Sequence, residues 1–188
     1  MDYSLQNDFL GKALPMTISP ESERTVMSFP DPPRGFNALL WRMPIWLYRL
    51  GFGWLLGEKA LLLTHIGRKS GQPRQAVLEI IQAYPSENRY LVVSGFGPGS
   101  QWYQNIKKEP RVTIQVRSKK IDAVAEQLEK KHAGDTLVAY AEKFPGNLKT
   151  LSRILGYEID HSPAGYRAFG EQIPVIQFSP NTDQNSRK

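Results

Sequence analysis

The stretch Leu61-Leu62-Leu63-Thr64-His65-Ile66-Gly67-Arg68-Lys69-Ser70-Gly71-Gln72-Pro73-Arg74 decides the fold. An apolar, strand-like run meets a seven-residue turn, Gly67 to Pro73, and a second strand-like run follows. Gly67 and Gly71 supply the permissive backbone a tight turn needs, so the segment reads as an antiparallel hairpin. Its tip is cationic. Arg68, Lys69 and Arg74, with the Ser70 hydroxyl, gather charge-assisted donors at one end of a sheet, a set suited to a phosphate or to several carboxylates. A solvated hairpin end that merely resists aggregation has the same composition, and these residues alone leave both readings open.

Working outward, strands are predicted near 60–66, 75–84 and 89–94, the last two joined by the turn-rich Pro85-Ser86-Glu87-Asn88. Arg111 to Val116 alternates apolar Val112, Ile114 and Val116 with polar Thr113 and Gln115, and a turn near Ser118 returns the chain through Ile121 to Leu128. Those are a fourth and a fifth strand, half-buried. Helical spacing follows in Asp135 to Phe144 and again in Leu148, Leu151, Ile154 and Leu155, and a last strand, Pro174 to Phe178, closes the sheet. The class is α+β: a small, mainly antiparallel barrel of about six strands with flanking helices.

Between the third and fourth strands lies Ser94-Gly95-Phe96-Gly97-Pro98-Gly99-Ser100-Gln101-Trp102-Tyr103-Gln104-Asn105-Ile106, a glycine-rich loop running into a short helix. Its glycines permit close approach of a flat ligand. Ser100 is a natural N-cap, Pro110 stops the helix, and the helix start offers unpaired N–H groups to an anion.

The order GRKSG-x-PR, glycine-rich loop, Trp-Tyr-x-Asn-Ile, Pro and strand resembles the deazaflavin-dependent nitroreductase family over roughly residues 40 to 180. The resemblance implies a split β-barrel that binds coenzyme F420, an 8-hydroxy-5-deazaflavin hydride carrier with a phosphodiester and an oligoglutamate tail. It implies that Arg68, Lys69 and Ser70 hold the phosphate and tail, with Arg74 close by. Val92, Val93, Ser94 and Gly95 would carry the deazaflavin ring, and Trp102 and Asn105 would wall the site. The acceptor would be apolar, quinone-like or a nitro compound. Where nitro- and quinone-reducing relatives place a tyrosine before a proline, the matching pair here is Phe144-Pro145, so the phenol is missing. Tyr140, Tyr103 and Tyr157 are the substitutes, unranked. Gly95 stands where many relatives have a lysine, which removes or replaces one tail contact. An FMN-dependent split-barrel enzyme and a non-catalytic binder of coenzyme or lipophile are the alternatives. No catalytic side chain is assigned.

Composition bounds the rest. The 188 residues are 40% hydrophobic and suffice for one domain with a proper core. The absence of cysteine excludes disulfides, thiolate nucleophiles and Cys-based zinc sites. His65, His132 and His161 are too scattered for a metal site and read as locally hydrogen-bonded residues. A net charge of +6 suits an anionic small molecule or surface, and the dispersed Lys and Arg pairs, with no helix-turn-helix or zinc pattern, speak against nucleic acid.

Residues 1–35, rich in proline, read as an extended or partly disordered leader without a secretory signal, residues 36–180 as the split-barrel domain, and 181–188 as a loose tail. Residues 36–57, FNALLWRMPIWLYRLGFGWLLG, approach a bilayer-spanning length, but Arg42, Arg49 and Pro44 argue against spanning. They form an amphipathic segment that packs on the barrel or a partner, or makes peripheral membrane contact. The predicted location is the cytoplasm, and a homodimer is expected by analogy with split barrels of this size.

Overall fold

The computed structural model describes Phe29, residues 59–155 and residues 157–182. The leader other than Phe29, the amphipathic segment 36–57 and most of the tail lie outside the described residues.

The six strands are β1 (Ala60–Ile66), β2 (Pro73–Tyr84), β3 (Arg89–Val93), β4 (Arg111–Val116), β5 (Lys119–Gln127) and β6 (Val175–Pro180). They close into an antiparallel barrel in the order β1-β2-β3-β6-β5-β4, with β4 returning to β1. The α+β split-barrel reading is therefore borne out. The opening hairpin pairs Ile66 with Pro73 and Ala60 with Glu79. Its turn is closed by Gly67 N–H donating to Gln72 O (2.9 Å), and Gly71 takes a φ of +65° that a side chain would strain.

Alternation sorts the barrel from its cover. Leu61, Leu63, Tyr90, Val92, Val112, Ile114, Val116, Ile176 and Phe178 point inward and form one buried cluster. Each fully buried Leu, Ile or Phe of this kind contributes about 1.5–3 kcal/mol through surface removed from water. In β2 alternation puts Ile80 in the interior and its neighbour Ile81 in a second cluster outside the barrel, and the register shift between Ile80 and Gln82 then brings Ala83, not Gln82, back to the interior cluster.

Four helices complete the described chain: α1 (Gln101–Lys108), α2 (Lys130–Lys143), α3 (Asn147–Leu155) and α4 (Pro163–Gln172). The second cluster joins the outer side of the barrel (Ile81, Leu91, Val175) to Leu137, Tyr140, Leu148, Tyr157 and Phe169.

Two boundaries and one whole helix stand out against the sequence reading. α2 starts at Lys130, five residues before the predicted Asp135, because its first turns bury the small Ala133 and Gly134 and show no apolar periodicity. β6 runs from Val175 to Pro180 rather than from Pro174 to Phe178, its extension held by pairing of Pro180 with Ala123. α4 was not predicted. It is capped by Ser162, whose Oγ accepts from Gly165 N–H at 3.1 Å, and it has Pro163 in its first turn. Its contact with α2 is made by glycine: a Cβ on Gly170 would lie 2.7 Å from Ala133 O and from Gly134 Cα. Glycine-to-glycine packing leaves no hydrophobic stripe to detect.

Candidate active site

α1 closes one end of the barrel. Tyr103 and Ile106 enter the interior cluster, and Trp102 packs against it edge-to-face with Tyr103, ring centroids 6.3 Å apart. Gln101, Asn105 and Lys108, spaced four and three apart, share a helix face, and the hairpin tip docks on it. Asn105 Oδ1 accepts from Arg68 N–H at 3.0 Å and from Arg68 Nη1 at 3.1 Å. Nη1 also donates to Gln101 Oε1 at 3.0 Å, and Lys108 Nζ donates to Arg68 O at 3.2 Å. The turn is thus pinned at Arg68, while Lys69, Ser70 and Arg74 stay exposed.

Asn105 is itself buried, and its amide meets His65 Nδ1 at 3.2 Å. Burial lowers the His65 pKa below its usual value; a backbone hydrogen bond at Ile66 opposes this and Arg74 adds to it.

The end of β3 leads into the glycine-rich loop. Val92 turns into the barrel and Val93 turns toward the helices. Ser94, fully buried, has Oγ 2.7 Å from Gly97 O and 2.7 Å from Ser100 Oγ. Ser100 stands at the N-cap position as predicted, but its hydroxyl is used in this bridge rather than in capping α1. The loop is gripped from the other side by Tyr157, whose hydroxyl donates to Gly95 O at 2.8 Å. Gly97 has φ +59°, and a Cβ there would overlap the ring of Phe29, which stacks edge-on to Tyr157.

The three candidate phenols have separate uses. Tyr103 donates to Gln127 Oε1 (2.7 Å) and Tyr140 to Glu79 Oε1 (2.6 Å). Burial pushes the Tyr140 and Tyr157 phenols up to about 12, with the Glu79 bond adding to the Tyr140 shift. Burial also raises Tyr103. Phe144 is 36% exposed, its ring 5.4 Å from that of Tyr140.

One space adjoins the loop, and a second shares Ser152 with it. A tight apolar crevice of about 10 Å³, at the lower limit for a single water molecule, brings together Val93, Gly95, Tyr140 and Leu148. A wide cleft of about 460 Å³ lies beside it, lined by Lys149, Arg153, Tyr157, Ile159 and His161, with Ser152 common to both. The structure therefore joins Arg68 to Asn105 at the tip, and Val93, Gly95 and Tyr140 at the crevice.

The family model for F420H(2)-dependent quinone reductases matches residues 48–146, from before β1 to the end of α2. The chain belongs to that family. It is accordingly an F420-dependent oxidoreductase acting on quinone-like acceptors, with coenzyme F420 as its cofactor. The chain is also similar to an F420-H2 dependent reductase structure at 23% identity, covering 66% of this chain and 96% of that one, with a TM-score of 0.45. A structure described as a domain-swapped dimer is 20% identical over 76% of this chain and 98% of its own, with a TM-score of 0.47. The HutZ heme storage protein from Vibrio cholerae is 17% identical over 66% of this chain and 83% of its own, with a TM-score of 0.45.

Gln101 and Lys108, which contact Arg68, and the cleft-lining Lys149, Arg153, Glu158, Asp160 and His161 were not singled out from the sequence. The spacing of Gln101, Asn105 and Lys108 was the available signal for the first two. The cleft has no local signal, because α3 and the segment after it meet only in the folded chain.

The donor chemistry of the tip fits the coenzyme's anionic part. Arginine and lysine donate and do not accept, and two of them with a hydroxyl stand on one turn, with Arg74 at the start of β2 beside it. Among the described residues no helix is long and apolar enough to cross a membrane, and no group of His, Asp or Glu could hold a metal ion.

Proposed function

We propose that the hairpin tip grips the phosphodiester and glutamate tail of coenzyme F420 through Arg68, Lys69, Ser70 and Arg74. The deazaflavin ring then lies along Val92, Val93, Ser94 and Gly95, walled by Trp102 and Asn105. The observation that carries this reading is the docking of Arg68 on Asn105 and Gln101: it commits Nη1 and leaves the Nη2 edge of the guanidinium for an oxyanion. Lys69 adds a mobile point charge beside it.

The bound coenzyme supplies the hydride. The chain's own part is to bind, orient and exclude water. Ser94 and Tyr157 hold the loop carbonyls, so the backbone under the ring is fixed before the coenzyme arrives. The acceptor enters the cleft beside Tyr157; of the aromatic substrate-side residues predicted from the sequence, Tyr140 and Phe144 stand together at the end of α2, whereas Tyr103 lies in the barrel-interior cluster. Phenols raised to about 12 do not ionise at neutral pH, and serve as fixed hydrogen-bond donors.

The reading extends to organisation. Residues 1–35 act as a leader to a single domain over 36–180, followed by the tail 181–188, and the protein works in the cytoplasm. The apolar stripe of residues 36–57 supports packing on the barrel itself or on a second copy in a homodimer, or contact with a membrane surface, where apolar quinones concentrate.

A fluorescence titration with F420 and, separately, FMN at low and raised salt tests the cofactor site. Tight, salt-weakened binding of F420 in preference to FMN is expected. Equal binding of both, insensitive to salt, would overturn the tip assignment.

A further inference from the structure

We propose that neutral His65, acting through Asn105, holds Arg68 in its ligand-binding orientation, so that the hairpin tip loses its grip on the anionic coenzyme when the imidazole takes up a proton. This rests on the reading that the tip binds the coenzyme.

The argument begins with hydrogen-bond bookkeeping. The backbone N–H and the guanidinium of Arg68 can only donate. The Asn105 atom that meets both, at 3.0 and 3.1 Å, must therefore be the oxygen. That leaves the NH2 of Asn105 facing His65 Nδ1 at 3.2 Å, so Nδ1 must accept, and the imidazole is the neutral form with its proton on Nε2. A protonated ring would set N–H against N–H. Turning the amide over does not relieve the conflict, since it would place the NH2 against two Arg68 donors in place of one imidazole. Protonation of His65 and the Arg68 clamp therefore exclude each other.

The surroundings favour the clamp. His65 is 4% exposed at the barrel end under α1. Arg74 stands opposite it in the β1–β2 register, and Arg68 and Lys108 meet above it. On β4, the strand on its other side, the nearest positions are Thr113, paired with Thr64, and Val112. Glu109, at the end of α1, accepts from Arg111 N–H at 3.2 Å. Burial disfavours the imidazolium most, the backbone hydrogen bond at Ile66 opposes this, and the Arg74 cation adds to the effect of burial.

His65 is a positioning residue, so its test reads a pH profile. F420 affinity would be measured by fluorescence between about pH 5 and pH 8 for the parent chain, His65→Asn and His65→Leu. Asparagine keeps an acceptor near the Nδ1 position and does not titrate, and any protonation of the coenzyme itself cancels in the comparison. The parent should lose about tenfold in affinity on acidification relative to His65→Asn, the scale of stranding buried donors. His65→Leu, lacking the acceptor, should bind weakly at both ends of the range. In the ligand-free chain, the Asn105 side-chain amide signal should shift with the His65 ring titration by NMR. Parallel profiles for parent and His65→Asn overturn the proposal. So does a parent affinity that rises on acidification, which would mean that attraction between imidazolium and bound anion outweighs the lost geometry. Arg68→Ala separates the two layers: if it binds F420 as well as the parent at pH 8, the tip reading itself fails. If it binds poorly while the profiles stay parallel, only the role of His65 fails.

Discussion

The Tyr157 hydroxyl donates to the Gly95 carbonyl oxygen at 2.8 Å and so ties the chain after α3 to the loop that leaves β3, 62 residues earlier. The bond is part-buried, and the Tyr157 ring packs on Phe169 with centroids 5.1 Å apart. One side chain thereby connects the wide cleft to the glycine-rich loop.

Tyr157→Phe removes that donor and keeps the ring. The variant should lose about 1–3 kcal/mol of stability through the stranded carbonyl. It should also raise the KM for F420, because the loop carbonyl is no longer held. Chemical denaturation and steady-state kinetics check the two effects separately; a stability loss without a change in KM would assign Tyr157 to packing alone.

Alkaline pH should unfold the protein earlier than its barrel would suggest. Tyr140 and Tyr157 have folded-state values of about 12, above the ordinary tyrosine value of 10.0. The folded chain therefore binds more protons than the unfolded chain between these limits, and stability falls as pH rises through that window. Tyr157→Phe should flatten part of the fall, as measured by denaturant midpoints across the alkaline range.

Lys69→Ala should weaken F420 binding about tenfold at low salt and by less at high salt, since an exposed point charge is screened. Thermal stability should stay unchanged, because Lys69 is exposed and the turn is held by its backbone bonds and by Arg68. A titration at two ionic strengths, beside a melting curve, decides this.

Gly97→Ala and Gly99→Ala form a matched pair. At Gly97 a Cβ meets both a left-handed backbone and the Phe29 ring, whereas at Gly99 it meets nothing within 4 Å. The first should cost roughly 1–3 kcal/mol and the second close to nothing. Equal melting temperatures for the two would show that Phe29 does not pack there in solution.

Phe144→Tyr restores the phenol that the family resemblance leads one to expect. The position is part-exposed, so the hydroxyl reaches solvent and stability should hold within about 0.5 kcal/mol. Turnover of a nitro acceptor should rise relative to a quinone acceptor. An unchanged ratio would remove Phe144 from the substrate side of the site.

Local chemistry made the barrel legible. Period-two alternation in Arg111 to Val116, glycines in the Gly67 to Pro73 turn and the tetrad before Arg89 each specify a structure within a few residues. These features fixed the six strands, the cationic tip and the glycine-rich loop before any contact was known. α4 escaped because its packing uses Gly165 and Gly170, where the absence of a side chain makes the contact and leaves no periodic signal. The start of α2 escaped for the same reason at Ala133 and Gly134.

Which polar groups meet was decided only by the tertiary structure. Asn105 and Arg68 are 37 residues apart, Tyr157 and Gly95 62, and Tyr140 and Glu79 61. A hydrogen bond requires placement to within a few tenths of an ångström, and a sequence pattern states only which face of an element a residue occupies. The sequence therefore determined the barrel and the charge of its tip; barrel closure determined that Arg68 is clamped, that His65 lies under the clamp, and that the phenols are already engaged.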